Sequence, residues 1–134
     1  MPTNETPPTQ QIPGTRHTWW FPDGDLPEPV EGDRFVSHEA LIVLNPAKQS
    51  SRLRLTFYWT DRPPTSFDHD IVVEGERVRC LRLDRLQDLG IDFTIPFRTQ
   101  YAIRLDSSVP VFCQYGRLDS VQANLALMAA PSFG

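Results

Sequence analysis

Ser37-His38-Glu39 sets a nucleophile, a base and an orienting carboxylate side by side, the residue types of a hydrolytic triad. Neighbours in an extended chain point to opposite faces, so these three cannot pass a proton in triad order. Ser37 and Glu39 share one face, and His38 lies on the other with Ala40 and Ile42. There His38 is a tunable hydrogen-bonding group at the mouth of an apolar strand. His17, His38 and His69 include no pair at the i, i+2 spacing that puts two metal ligands on one strand face. Asp68-His69-Asp70 follows Pro63-Pro64 and reads as a polar turn. Neither a Gly-rich phosphate loop nor a Gly-x-Ser-x-Gly elbow is present. The expectation is a chain that binds rather than catalyses, with no metal and no cofactor.

Binding chemistry is better represented. Asp61-Arg62 follows the strand-like run that ends at Trp59-Thr60, and Arg117-Leu118-Asp119 follows another. Polar residues at strand ends are where sandwiches and barrels keep their sites. Arg117 and Asp119 share a face if the chain stays extended, and they can pair with each other or clamp a polar ligand. Trp19, Trp20 and Phe21 beside Asp23-Gly24 offer flat apolar surface suited to stacking on sugar rings, or to forming a core edge.

Composition limits what these groups can serve. Twelve of the thirteen cations are arginine, Lys48 being the exception, and arginine suits planar recognition of carboxylates, phosphates and interface partners. The net charge of −4 disfavours a general grip on nucleic-acid backbones. Cys80 and Cys113 sit inside apolar runs without metal or redox spacing, which fits a reducing compartment. Residues 1–13 lack a basic and apolar leader pattern, and no apolar run is long enough to span a bilayer. A cytoplasmic location follows as the expectation.

The positioning elements are strands. Residues 1–14 are polar and Pro-rich and read as a disordered extension, leaving residues 15–134 as one domain. Eight β-like runs follow, at about 16–21, 37–45, 52–60, 68–73, 76–84, 99–106, 109–117 and 123–130. That pattern predicts an all-β, antiparallel two-sheet sandwich. Leu53, Leu55, Phe57 and Trp59 share one face, and Arg52, Arg54, Thr56 and Tyr58 the other, so one face is core and one wet or interfacial. Residues 40–44, Ala-Leu-Ile-Val-Leu, are apolar on both faces, which predicts cover on the outer side by a loop or another subunit. Residues 71–78 predict a hairpin about a Glu74-Gly75 turn, glycine supplying positive φ.

The order of these elements carries a resemblance. Trp20 with Asp23-Gly24 and Pro27 is followed by Ser37-His38-Glu39 running into Val43-Leu44-Asn45, and then by Phe57-Tyr58-Trp59-Thr60-Asp61-Arg62-Pro63. Arg77, Pro96, Tyr101-Ala102, residues 107–110, Arg117-Leu118-Asp119 and Gln122-Ala123 complete the series. In this the chain closely resembles the sensory rhodopsin transducer family over about residues 16–130. The resemblance implies a jelly-roll-like sandwich, a homotetramer, and a cytoplasmic sensor of a small polar metabolite, sugars being the favoured class. Its namesake couples to a retinal photoreceptor in the membrane. The pocket positions implied are Trp20, His38, Glu39, Asn45, Asp61, Arg62, Arg77, Arg117 and Asp119, with no catalytic role. An adaptor that relays a receptor's signal without a small ligand is the alternative, and an enzyme of carbohydrate metabolism using His38 or Glu39 is a third reading.

Overall fold

The computed structural model describes residues 12–28, 38–119 and 126–131, with residues 119 and 126–131 described at the backbone. Most of the N-terminal extension therefore lies outside the described residues. Eight strands account for most of them: β1 (Arg16–Asp25), β2 (His38–Asn45), β3 (Ser51–Trp59), β4 (Thr65–Ser66), β5 (Ile71–Val73), β6 (Arg77–Arg82), β7 (Gln100–Asp119) and β8 (Ala126–Pro131). A single 3₁₀ turn, Leu86–Leu89, interrupts them and ends at Gly90, whose φ of 85° is left-handed.

The organising element is β7, twenty residues long. Its odd-numbered residues from Tyr101 to Tyr115 are all buried, which is the period of two that a half-buried strand requires. The first half pairs antiparallel with β1 on one side and β3 on the other. The second half pairs antiparallel with β2 and β8. Thus β7 belongs to two sheets: β1, β3, β4 and β5 join it in the first, and β2, β6 and β8 in the second. The two sheets enclose one core, in which Phe21 of the first stacks on Tyr115 of the second at 6.2 Å between centroids. The protein is the expected all-β antiparallel sandwich, and it is not closed into a barrel.

Two sequence expectations change. Residues 99–106 and 109–117 are one strand rather than two. Ser107, Ser108 and Pro110 look like punctuation, but they form the corner at which β7 passes from one sheet to the other. Between Arg16 and Thr18, β7 advances from Val111 back to Asp106, a bulge that leaves residues 108–110 without a ladder partner among the described strands. Pro110 has no N–H to donate, and this is the place where none is needed. Side chains hold the corner: Ser51 Oγ donates to Val109 O (2.8 Å) and accepts from Val109 N (3.1 Å), and the His17 ring lies 2.9 Å from Ser107 O.

The hairpin expected at 71–78 does not form. β5 pairs with β3 and β6 pairs with β2, so this segment crosses from one sheet to the other. The residue with positive φ is Glu76 (56°), not Gly75. Gly75 is required for a different reason: a Cβ there would lie 1.9 Å from Lys48 O. The face expected for β3 is correct, since Leu53, Leu55 and Phe57 are buried. In β2, Leu41 and Val43 fill the core, whereas Leu44 remains 42% exposed on the outer face.

The cysteines separate along the same division. Cys113 is buried, and that burial pushes its thiol up to about 12. Cys80, opposite Ile42 in β6, is exposed. A thiol reagent at neutral pH should therefore spare Cys113 in the native chain, modifying at most one cysteine, and modify two per chain unfolded in guanidinium. Cys80→Ser should abolish the native reaction; rapid modification of that variant would contradict the placement of Cys113.

Candidate functional site

Polar chemistry inside the sandwich converges on Glu39. Because β2 alternates, Glu39 points inward with Leu41 and Val43, and its side chain is 0% exposed. Such a carboxylate must be hydrogen-bonded to be tolerated. Tyr101 Oη donates to Oε1 at 2.6 Å, the Asp25 backbone N–H reaches Oε1 and Oε2 at 3.2 and 3.1 Å, and Arg117 Nε donates to Oε2 at 2.9 Å. Arg117 also reaches Tyr115 Oη (3.2 Å) and Asp23 O (3.3 Å). Tyr101 and Arg117 sit near opposite ends of β7 and would be roughly 50 Å apart in a straight strand. Glu39 receives both because β7 doubles back at its corner.

The Asp23-Gly24 segment makes room for this. β1 bulges between Phe21 and Gly24, and Gly24 lies opposite Tyr101. A Cβ on Gly24 would come within 2.6 Å of the Tyr101 ring. Asp25 Oδ1, beside the cluster, is buried with no hydrogen-bond partner among the described residues.

Burial raises the Glu39 carboxyl above 4.5, although Tyr101, the Asp25 N–H and Arg117 each pull it down. Burial, with the charge of Glu39, drives the Tyr101 hydroxyl well above its ordinary value. Burial alone would lower Arg117, but the hydrogen bond and charge of Glu39 outweigh it and raise the guanidinium. The cluster is closed as well as satisfied: only Arg117, its side chain 19% exposed, reaches the surface.

The remaining residues singled out in the sequence lie elsewhere. Asn45 is buried and ties loops together, its amide donating to Gln49 O (2.9 Å), Val73 O (3.1 Å) and Glu74 O (3.3 Å) and accepting from Ala47 N (3.1 Å). Asp61 and Arg62 bond to each other in the exposed β3–β4 loop, with the Arg62 guanidinium 5.2 Å from the Trp59 ring. Arg77 is exposed and bonds Glu76 O (3.0 Å). His38 opens β2, half-buried opposite Leu118 on the outer side. Trp20 is 44% exposed on the outer face of the first sheet, whereas Trp19 and Phe21 are core. Asp119 pairs with Ala126 in the ladder, and its side chain is outside the description.

Of the nine positions, then, the structure brings Glu39 and Arg117 together. No hydrogen bond or ring contact among the described residues links that pair to Trp20, Asn45, Asp61, Arg62 or Arg77. Tyr101, Tyr115 and the Asp25 backbone were not anticipated. Their one signal was a tyrosine hydroxyl on an inward-facing position, since a buried hydroxyl must find an acceptor. Among the described residues no group of His, Cys, Asp and Glu is placed to hold a metal ion.

Two outcomes follow from this geometry. Tyr101→Phe keeps the ring against Gly24 but removes the donor to a buried carboxylate, and should cost about 1–3 kcal/mol in urea unfolding; an unchanged midpoint would show that the hydroxyl carries no weight. Because the folded Glu39 value is raised, the native chain binds a proton more readily than the unfolded one. Its contribution is full below 4.5 and is lost as pH rises through the raised value. The Tm of the parent minus that of Glu39→Gln should therefore decline from acid to neutral pH, and a difference that rises with pH would reverse the sign argued here.

Comparison with known proteins gives a consistent result. The family model for the Anabaena sensory rhodopsin transducer matches residues 14–134. A crystal structure of Thermotoga maritima 1070 superposes with a TM-score of 0.76 at 33% identity, covering 91% of this chain and 96% of that one. The structure of the Anabaena sensory rhodopsin transducer superposes with a TM-score of 0.67 at 31% identity, covering 81% and 92%. No curated protein sequence matches significantly. With the family match spanning nearly the whole chain and two solved relatives above 30% identity, the protein belongs to the Anabaena sensory rhodopsin transducer family.

Proposed function

We propose that the chain is a non-catalytic signalling module of the cytoplasm, a homotetramer whose input is a small polar metabolite, in keeping with its family. The observation that carries the non-catalytic reading is the closure of the Glu39 cluster. Its carboxylate is fully buried and both oxygens are already bonded, so it has no reach to a substrate proton. No helix among the described residues is long and apolar enough to cross a membrane.

Assembly is supported by the outer face of the second sheet. Val78 is 65% exposed and Leu44, its ladder neighbour, is 42% exposed, with Ile42 and Phe112 half-buried beside them. An apolar strip of this kind is costly in water and is the kind of surface that partners cover. The adaptor reading draws on the relative named for its rhodopsin: the same apolar face would then serve a membrane receptor, such as a microbial rhodopsin, without a small ligand.

Light scattering of the purified chain should give four times the 15.3 kDa chain mass, and Val78→Glu with Leu44→Glu should lower it while leaving the folded signal intact. A monomeric parent would remove the tetramer from this reading. A thermal-shift panel separates the inputs: a saturating ligand at a hundred times its Kd adds about 2.7 kcal/mol of stability. A flat panel from an intact oligomer would transfer the reading to the receptor adaptor.

A further inference from the structure

Each sheet ends in strands that have no ladder partner on their outer side among the described residues. Folded proteins blunt such edges, because a row of unpaired N–H and C=O groups recruits other strands. Here β1 is bulged twice, β4 and β5 are two and three residues long, and β8 ends at Pro131. The edge at β6 is different. Its six residues pair with β2 in unbroken register and include no proline.

The ladder decides which of its backbone groups are free. Leu83 N donates to Glu39 O at 2.9 Å, one step beyond the pairing of Arg82 with Ala40. Residues 83 and 39 are therefore a hydrogen-bonded pair, and such pairs alternate along an antiparallel ladder. Leu81, Arg79 and Arg77 then turn their N–H and C=O toward β2, whereas Val78, Cys80 and Arg82 turn theirs outward. Arg85 N takes Arg82 O at 3.2 Å. Both backbone groups of Val78 and Cys80, with the Arg82 N–H, are left for a further strand among the described residues.

Side chains select the partner's chemistry. Val78 and Cys80 lie on the outer face beside Leu44 and Ile42, and Val78 is 65% exposed. Arg77 and Arg79 lie on the opposite face, at the open side of the sandwich, across from the buried Asn45 and Val43. A groove of about 350 Å³ runs there, walled by Val72, Val73, Val78, Arg77 and Arg79, with Glu74 its one carboxylate. Arg79 donates to Val72 O (2.7 Å) and Arg77 to Glu76 O (3.0 Å). Both guanidiniums thus bond carbonyls, and neither is in an ion pair among the described residues, whereas Arg82 is paired with Asp84. Two copies of β6 would bring three arginines each to one seam, an unfavourable match. A strand with carboxylates at alternate positions would instead meet opposite charge in the non-hydrogen-bonded pairs, where side chains come closest. We propose that the free edge of β6 takes an extended segment of a partner protein, antiparallel to it, with acidic residues opposite Arg77 and Arg79 and apolar residues opposite Val78 and Cys80. The inference goes beyond the reading of the chain as a small-ligand tetramer: pairing uses backbone groups in the plane of the sheet, whereas a copy packed on the outer face would cover side chains.

The test is a titration of the full ¹⁵N-labelled chain with the peptide acetyl-Ser-Thr-Val-Glu-Val-Glu-Gly-amide, whose alternation fits this register. Saturable shifts and slowed hydrogen exchange are expected at the amides of Val78, Cys80 and Arg82. The same peptide with N-methylated valines keeps its side chains but loses the donors to Val78 O and Cys80 O, and should not bind. Replacing both glutamates by lysine should weaken binding about tenfold. Arg77→Glu, with a spectrum as dispersed as the parent's, should weaken the glutamate peptide about threefold and strengthen the lysine one. No saturation by the glutamate peptide, or saturation centred on other strands, would overturn the site. Binding of the N-methylated peptide would overturn strand pairing, and equal binding of the lysine peptide would overturn the acidic class. Shifts at these amides that follow protein dilution without peptide would give the edge to a second copy and overturn the partner proposed.

Discussion

One buried carboxylate holds the sandwich to its shape. Glu39 takes a hydrogen bond from each end of β7, a strand that serves both sheets, and so fixes the two halves of that strand face to face. Removing one partner of such a pair leaves an uncompensated charge in the core, at a cost of about 3–5 kcal/mol. An apolar residue could fill the same volume, but it would not demand that Tyr101, Asp25 and Arg117 arrive together. The other features of the region follow from that demand. Gly24 lacks a side chain where the Tyr101 ring passes, β1 bulges to present the Asp25 N–H, and Tyr115 stacks on Phe21 while its hydroxyl meets Arg117.

Period-two patterning was enough to find most strands and to place the core face of β3, because burial of alternate residues is a local property. Sheet membership is not local, and there the sequence misled. Residues 71–78 have the composition of a hairpin, yet their two halves go to different sheets; what decides it is Gly75 against the Lys48 carbonyl and the Asn45 amide reaching Gln49, Val73 and Glu74. Likewise Pro110 reads as a strand break until the corner shows that no partner awaits its missing N–H. The site was legible in part. Glu39 and Arg117 stand seventy-eight residues apart, and only the resemblance placed them in one list. That same list included Asn45, whose amide is consumed by loop carbonyls, and omitted Tyr101, whose hydroxyl reaches Glu39 only because β7 doubles back.

The two outer faces differ in a way that follows from which neighbours each strand meets. In the first sheet, the outward residues of β3 and β7 include arginine, threonine, tyrosine and aspartate, with Arg54 set opposite Asp106 across the ladder. In the second, the outward residues of β2 and β6 include Ile42, Leu44 and Val78, flanked by Phe112 from β7. The long strand contributes to both, polar at Arg104 and Asp106 and apolar at Phe112. A single change of sheet at residues 108–110 therefore separates a hydrophilic face from a hydrophobic one without any domain boundary.

This arrangement narrows where recognition can occur. Among the described residues the Glu39 oxygens are occupied, the Asn45 side chain is bonded on both sides, and the aromatic cluster of Phe57, Trp59, Phe67, Phe93 and Tyr101 packs with centroid separations of 5.5–6.3 Å. Interiors packed this closely do not deform gradually. A ligand or partner consequently meets a rigid body, and what it meets is set by the outward alternation of β2, β3 and β7. Because inward and outward residues alternate along one backbone, Arg104 cannot shift along the strand without moving Ile103 and Leu105, which are fully buried. The outer face is thus held in register by the same packing that Glu39 locks, which is the preorganisation a ligand or partner requires if binding is not to be spent on ordering the site.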